Sequence, residues 1–363
     1  MRNGGKLNQS GQQNETATIT AEEFWRRSAD LAVLDVRSPG EFEQGHIPGA
    51  INLPLFDNQE RADVGTIYKN SGRDAAVLRG LKFAGQKMAE LVVQAREVTQ
   101  GSKSVLVHCW RGGMRSEAVA WLLKTAGMQP TLLSGGYKSF RKFVRQQIEL
   151  DWPLCMISGL TGAGKTRILQ LLADAGEHVL DLEGLANHRG SAFGGISQPD
   201  QPTTEQFENQ LFVSLQRCKS ATRIWVEDEG NRIGTVVVPT NFYRAMRHAP
   251  AIFLQSSVQQ RVRNLMVDYG ELPTIDLEDS IKKIRKRLGN QHAAEALTSL
   301  RTGNVERAIE IVLDYYDKTY LKAADGMPRE EMPTLAIDQL SDAEIVEQAK
   351  LIADAEFVNA DVS

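Results

Sequence analysis

The run Val105-Leu106-Val107-His108-Cys109-Trp110-Arg111-Gly112-Gly113-Met114-Arg115-Ser116 decides the reading of the first half of the chain. An apolar start, an abrupt break at Cys109, two glycines and a second apolar run at 118–123 predict a buried strand, a tight loop and a helix start. Such a loop turns backbone N–H groups inward, and Arg111 and Arg115 add positive charge, so an anion is favoured at the Cys109 sulfur. A buried structural cysteine is the commoner fate of this residue type, yet it does not need Gly112, Gly113 and two arginines directly behind it. Cys109 is therefore expected to ionise readily, with Arg111, Gly112, Gly113 and Arg115 cradling an anion. Two chemistries fit: a phosphatase nucleophile, and a sulfurtransferase cysteine that carries a terminal chalcogen atom. The loop alone leaves both open.

Upstream, Leu31-Ala32-Val33-Leu34-Asp35-Val36-Arg37 reads as a short strand ending in charge, and Glu41-Phe42-Glu43-Gln44-Gly45-His46-Ile47-Pro48-Gly49-Ala50 follows it. These two segments and the cysteine loop resemble the rhodanese family over about residues 20–145. The resemblance implies a doubly wound α/β module, consistent with the alternating strand and helix patterns. One departure stands out. Five residues separate Cys109 from Arg115, where common sulfurtransferases have four; the longer loop is typical of the phosphatase and arsenate-reductase relatives and leaves room for a group larger than one sulfur atom.

A second module opens with the apolar Pro153-Leu154-Cys155-Met156-Ile157-Ser158, which feeds Gly159-Leu160-Thr161-Gly162-Ala163-Gly164-Lys165-Thr166 and then a helical pattern. This is a complete phosphate-binding P-loop in strand, loop and helix context. Gly159, Gly162 and Gly164 let backbone N–H groups wrap a phosphate, Lys165 neutralises it, and the Thr166 hydroxyl suits Mg²⁺. Arg223-Ile224-Trp225-Val226-Glu227-Asp228-Glu229 reads as a second strand of that sheet, where Asp228 or Glu227 would serve Mg²⁺ directly or through water; a solvated acidic strand end is the plainer alternative. Between them, the polar loop with Asp181, His188 and Arg189 lies where α/β sheets bind ligands. There is no guanine-reading Asn-Lys-x-Asp pattern.

Composition frames both modules. The 363 residues, 42% hydrophobic, suffice for two or three cored domains. No apolar run reaches the ~20 residues of a membrane helix, and no signal-peptide core opens the chain, so a cytoplasmic location without membrane attachment is expected. Cys109, Cys155 and Cys218 are far apart and lack metal-like spacing, which argues against disulfides and zinc. The expected layout is a disordered terminus over 1–18, a rhodanese-like domain over 19–145, a P-loop domain over 146–255 and a helical region over 256–363. A helix start is read at Thr20, as a capping box with Glu23, and a turn at 70–74. In the last region Arg261, Arg263, Lys282, Lys283, Arg285, Lys286 and Arg287 stand near Tyr269, Tyr315, Tyr316 and Tyr320, a pattern for either a solvated face or contact with a polynucleotide. Residues 331–363, with eight acids and the single Lys350, read as a terminal helix.

A rhodanese-like module fused to a P-loop module, with Cys-Trp-Arg-Gly-Gly-Met-Arg-Ser at 109–116 and Asp-Leu-Glu-Gly-Leu-Ala-Asn-His-Arg-Gly-Ser at 181–191, resembles the tRNA 2-selenouridine synthase family over nearly the whole chain. That resemblance implies replacement of sulfur by selenium at the wobble 2-thiouridine of tRNA, with selenophosphate as donor, by way of a geranylated thiouridine made from geranyl diphosphate. It implies tRNA and a selenophosphate-producing enzyme as partners. Cys109 is then expected to carry or help deliver selenium, as S-selanylcysteine, and the P-loop to hold the diphosphate of a nucleotide or of the prenyl donor. Rivals remain: a Cys109-dependent phosphatase or sulfurtransferase, with a regulatory nucleotide-binding P-loop domain.

Overall fold

The computed structural model describes residues 16–191, 193–323 and 332–360. The chain divides into two compact units, Met1–Val144 and Arg145–Ser363. Disorder expected over 1–18 falls largely on residues 1–15, outside the described ones; Thr18 is already in the first strand.

The first unit runs β1 (Thr18–Ile19), α1 (Ala21–Arg27), β2 (Val33–Asp35), α2 (Pro39–Gln44), β3 (Ile51–Asn52), α3 (Asn58–Val98), β4 (Ser104–His108), α4 (Met114–Thr125), β5 (Gln129–Leu133) and α5 (Gly136–Ile148), whose end crosses into the second unit. The five strands form one sheet in the order β1-β5-β4-β2-β3, every pair parallel. Helices cover both faces, so β4 reads as a continuous apolar run rather than an alternating one. Val105 and Val107 of β4 pack with Leu91 and Ala95 of α3 and Val119, Ala120 and Leu123 of α4, each large side chain among them stabilising the fold by about 1.5–3 kcal/mol. Thr20 does cap α1, accepting from the Glu23 N–H at 3.3 Å. The reciprocal half of the box is missing, because the Glu23 carboxylate is drawn to Arg26 and Arg27 instead.

The turn expected at 70–74 is a single-residue interruption. Gly72 alone, at φ 86° and ψ −179°, leaves the helical region, and α3 continues on both sides. Its first part, opened by a capping box between Asp57 and Glu60, has no counterpart in the sequence reading, since Asn70, Ser71 and Gly72 mask the periodicity.

The second unit comprises β6 (Leu154–Gly159), α6 (Lys165–Asp174), β7 (Val179–Leu180), α7 (Leu182–Ala186), α8 (Thr204–Arg217), β8 (Ile224–Glu227), β9 (Arg232–Ile233), β10 (Val236–Val237), α9 (Thr240–His248), β11 (Ala251–Gln255), α10 (Val258–Tyr269), α11 (Thr274–Leu288), α12 (Asn290–Arg301), α13 (Val305–Ala323), β12 (Thr334–Ala336) and α14 (Asp342–Ala360). Strands β12-β11-β6-β8-β7 form a parallel sheet with β6 at its centre, and β9-β10 form a separate hairpin. The α10–α13 segment builds its own apolar core around Leu265, Leu277, Ile281, Ala296 and Val312. The region from 256 onward is more than helices. Strand β12 pairs with β11, and Ile345, Ala349 and Ala353 of α14 pack with Cys155 and Ile157 of β6 and Leu169 of α6. No described helix is long and apolar enough to cross a membrane.

Candidate functional site

In the first unit β4 delivers Cys109 to the carboxyl end of the sheet, where α/β folds bind ligands. The loop is clamped from below: Tyr137 and Lys138 N–H groups of α5 donate to the Cys109 and Trp110 carbonyls at 2.8 and 3.0 Å. That approach requires glycine on both sides. A Cβ on Gly136 would lie 2.4 Å from the Gly112 nitrogen, and one on Gly112 would lie 2.8 Å from the Leu133 carbonyl, each at positive φ.

Cys109 is 3% exposed, and its thiol lies 3.2 Å from the Ser116 hydroxyl. Burial alone would raise its pKa, but hydrogen bonding from Ser116 and from the backbone around Gly113, Ser116 and Arg111 outweighs it, so the thiol titrates below its ordinary value. Burial pushes Cys155 up to about 12 and raises Cys218. Above Cys109 opens a cavity of about 560 Å³, lined by Arg61, Tyr68, Lys69, Trp110, Arg111 and Arg115 among others. Of the expected residues, Cys109, Arg111, Gly113 and Arg115 line it, while Gly112 serves beneath as backbone.

Arg115 is held in place by Glu41, at 2.6 and 3.2 Å, a residue of the first motif to which sequence reading gave no role. Arg61 also reaches Glu41, at 3.5 Å. Behind the loop, Asp35 and Arg37 form a fully buried pair at 2.6 Å, and Arg37 lies 3.9 Å over the Tyr137 ring. His108, 3.7 Å from Asp35, has no hydrogen-bond partner on either ring nitrogen among the described residues, and burial holds it below the ordinary imidazole range. It is a neutral packing residue.

In the second unit all six expected binding residues, Gly159, Gly162, Gly164, Lys165, Thr166 and Asp228, line one cavity of about 840 Å³. The loop is braced by α10. Asn264 donates to the Gly162 carbonyl at 2.8 Å, and Arg261 to the Thr161 carbonyl at 3.1 Å. Arg261 is 1% exposed and paired with Asp317 at 2.8 Å, so this member of the basic series holds the fold and meets no solvent. Tyr269 is likewise buried, whereas Lys283, Lys286 and Arg287 form an exposed face of α11; the Tyr320 side chain lies outside the described residues.

The carboxylate touching the Thr166 hydroxyl is Glu183, at 3.1 Å. Asp228 instead accepts from Ser158 and Arg247, each at 2.6 Å, and Glu227 is wholly buried, accepting from the Glu183 N–H at 2.8 Å. Burial and neighbouring acids outweigh the attraction of Lys165, raising Glu183 and pushing Glu229 up to about 8. Crowded acids beside a phosphate loop suit Mg²⁺, which binds through one or two carboxylates and the substrate's own phosphates; Thr166 and Glu183, in contact at 3.1 Å, would be the residues to hold it. Among the described residues no cluster of three or more His, Cys, Asp or Glu forms a self-sufficient metal cage. Of the intervening loop, Asp181 caps α7 by accepting from Gly184, Arg189 pairs with Asp268, and His188 is half-buried.

A second pocket adjoins the phosphate cavity. Thr161, Ser191, Leu265, Tyr269 and Tyr316 line both, and beyond them its walls are wholly apolar, among them Phe193, Leu277, Leu300 and Val312.

Residues 20–143 match the rhodanese-like domain model, and residues 152–334 match the model of the tRNA 2-selenouridine synthase AAA domain. A tRNA 2-selenouridine synthase of Nitrosomonas eutropha is 41% identical over 67% of this chain and 64% of its own length. The proteins of the same name from Pseudomonas fluorescens and Pseudomonas syringae pv. tomato are 36% and 34% identical, each over 80% of this chain and 88% of the relative. With both modules matched, in order and over most of its length, the chain belongs to the tRNA 2-selenouridine synthase family.

Proposed function

We propose that this protein replaces sulfur by selenium at the wobble 2-thiouridine of tRNA, in the cytoplasm, drawing selenophosphate from the enzyme that makes it. The observation that carries the reading is the Cys109 thiol, titrating below its ordinary value at the foot of a cation-lined cavity. The pairing of that cavity with a P-loop, in a chain of this family, favours it over the phosphatase and sulfurtransferase alternatives.

The P-loop cavity takes geranyl diphosphate in this reading. A diphosphate needs the N–H cradle and Lys165, and an isoprenoid chain needs apolar walls; the pocket beyond Leu265 and Tyr269 has such walls but holds only about 30 Å³, so the chain enters by widening it. The thiouridine sulfur attacks C1 of the prenyl donor, the C1–O bond breaks, and diphosphate leaves with the electron pair. Sulfur is thereby made a thioether leaving group. Lys165 and the loop N–H groups stabilise the departing charge.

Cys109 then delivers selenium. Attack of its thiolate on phosphorus forms an S–P bond, breaks P–Se and releases selenide, with hydrolysis returning phosphate and the free thiol. Attack on selenium gives S-selanylcysteine and expels phosphite. The product, phosphate or phosphite, tells which atom is struck. Selenide adds to C2 of the geranylated base and geranyl thiolate departs. On the selanyl branch the same addition leaves the base joined to Cys109 through an S–Se bond, which a thiol reductant breaks by attack on the cysteine sulfur. That leaves selenium on C2 and a mixed disulfide at Cys109, which a second thiol reduces. Arg115 neutralises the anionic donor, and the exposed basic face of α11 contacts the tRNA backbone.

The test is mass spectrometry of wobble nucleosides from cells lacking this protein, grown with selenite and complemented with wild type or Cys109→Ala. Selenouridine is expected with wild type alone, and geranylated thiouridine accumulates with the variant. Failure of wild type to restore selenouridine overturns the reading.

A further inference from the structure

The cavity over Cys109 has a wall that neither rhodanese motif predicts. It comes from the first part of α3, and it presents Arg61, Tyr68 and Lys69 to the same space as Trp110, Arg111 and Arg115. Three facts about that wall bear on what it binds. Tyr68 is 59% exposed, an aromatic ring kept in solvent at the rim of a reactive site although its burial in the nearby core would be favourable. Lys69 and Arg111 are exposed and make no ion pair with any described residue, whereas Arg115 and Arg61 are both turned toward Glu41. The cavity, at about 560 Å³, is in the range that holds a small organic ligand and far exceeds what one chalcogen atom requires.

A ring face, two uncommitted cations and a cleft of this size are the elements by which proteins take hold of single-stranded RNA. An unstacked base is splayed onto an aromatic ring, and lysine and arginine take the adjoining phosphates. We infer that the cavity is the receptor for one flipped nucleobase of the RNA substrate: Tyr68 stacks on the base that Cys109 serves, and Lys69 and Arg111 bind the phosphates on either side of it. Arg115, committed to Glu41, holds the cysteine loop in shape and faces the donor anion. Tyr68 is a positioning residue in this arrangement, since it orients the base and leaves the reacting atoms to Cys109. The break at Gly72 follows three residues after Lys69, so the wall ends where α3 changes direction. This inference rests on the RNA-substrate reading above, and its test separates the two.

The full-length chain is titrated with a fluorescent anticodon stem-loop RNA carrying 2-thiouridine at the wobble position, and with the same stem-loop made abasic there. Stacking of one base is read as about a tenfold or greater rise in Kd for Tyr68→Ala on the intact loop, with affinity kept by Tyr68→Phe and Tyr68→Trp. The abasic loop is expected to bind wild type and Tyr68→Ala equally. The double variant Lys69→Ala, Arg111→Ala is expected to flatten the dependence of log K on log salt by about 0.7 for each phosphate that is no longer neutralised. Tyr68→Ala binding the intact loop like wild type, or weakening as much on the abasic loop, overturns the stacking role while the RNA reading stands. An unchanged salt slope in the double variant overturns the phosphate role. No binding of either loop by wild type removes the RNA reading and this inference with it. Because Tyr68, Lys69 and Arg111 are exposed, circular dichroism melting curves matching wild type accompany each result.

Discussion

The Cys109 loop and the P-loop are the same device with opposite surroundings. Each follows the central strand of a five-stranded parallel sheet, each turns through glycines into a helix, and each opens on a cavity at the carboxyl ends of the strands. At Cys109 four cations line the cavity, two of them turned toward the Glu41 carboxylate. At Lys165 the balance is reversed, with Asp181, Glu183, Asp228, Glu229 and Asp268 lining the space beside Lys165, Arg167 and Arg189. The first loop lowers a thiol's pKa and draws anions; the second raises carboxyl pKa values and suits an anion that arrives with a cation. Loop geometry provides the site and, at Cys109, the hydrogen bonds that lower the thiol; the charges around each loop decide which ligand its cavity suits.

The sharpest way to break this contrast is to remove each loop's reacting group. Cys109→Ala is expected to abolish selenouridine while leaving geranylated thiouridine, read by nucleoside mass spectrometry. Lys165→Ala is expected to reduce geranyl transfer by about 10²–10³-fold, the loss typical of one electrostatic partner in a transition state; unimpaired transfer would place the prenyl donor elsewhere. The buried scaffold differs too. Asp35→Ala strands Arg37 without its partner and should cost about 3–5 kcal/mol, seen as a lower Tm.

The carboxylates of the second loop give a pH signature. Glu229 holds its proton up to about 8 in the folded chain, whereas unfolded Glu releases it near about 4.3. The folded state therefore binds more protons across that window, and stability falls as pH rises through it. Glu229→Gln should stabilise the protein by at least about 1.4 kcal/mol at about pH 8, the worth of one pK unit, and by little at about pH 4, measured by denaturant titration at both. The smallest effect is expected at the first loop. Ser116→Ala removes one of several hydrogen bonds to the Cys109 sulfur and should slow iodoacetamide labelling at neutral pH by about tenfold or less. Cys155, pushed up to about 12, stays unlabelled in both proteins.

Much of both sites was legible because the residues are local. Cys109 to Arg115, and Gly159 to Thr166, each lie within one strand-loop-helix turn, so residue order fixes which groups meet. What sequence reading overlooked came from a distance: Glu41 reaching Arg115, Glu183 and Glu229 gathering at Thr166 and Lys165, and the α3 wall with Tyr68. The capping box at Asp57 and Glu60 was the one available sign of that helix. Arg261 illustrates the opposite error, since a basic residue in a basic helix reads as surface, while its pairing with Asp317, 56 positions on, takes it inside.

By itself the sequence determined the two modules, their order, the cysteine loop and the phosphate loop, because strand-loop-helix turns are encoded by short-range pattern and glycine placement. Tertiary structure alone decided the partners of those groups: which carboxylate holds Arg115, which one touches Thr166, that β12 and α14 return to the P-loop sheet, and that an apolar pocket adjoins the phosphate cavity. Burial and electrostatic pairing act between residues far apart in the chain, and only folding brings them within reach.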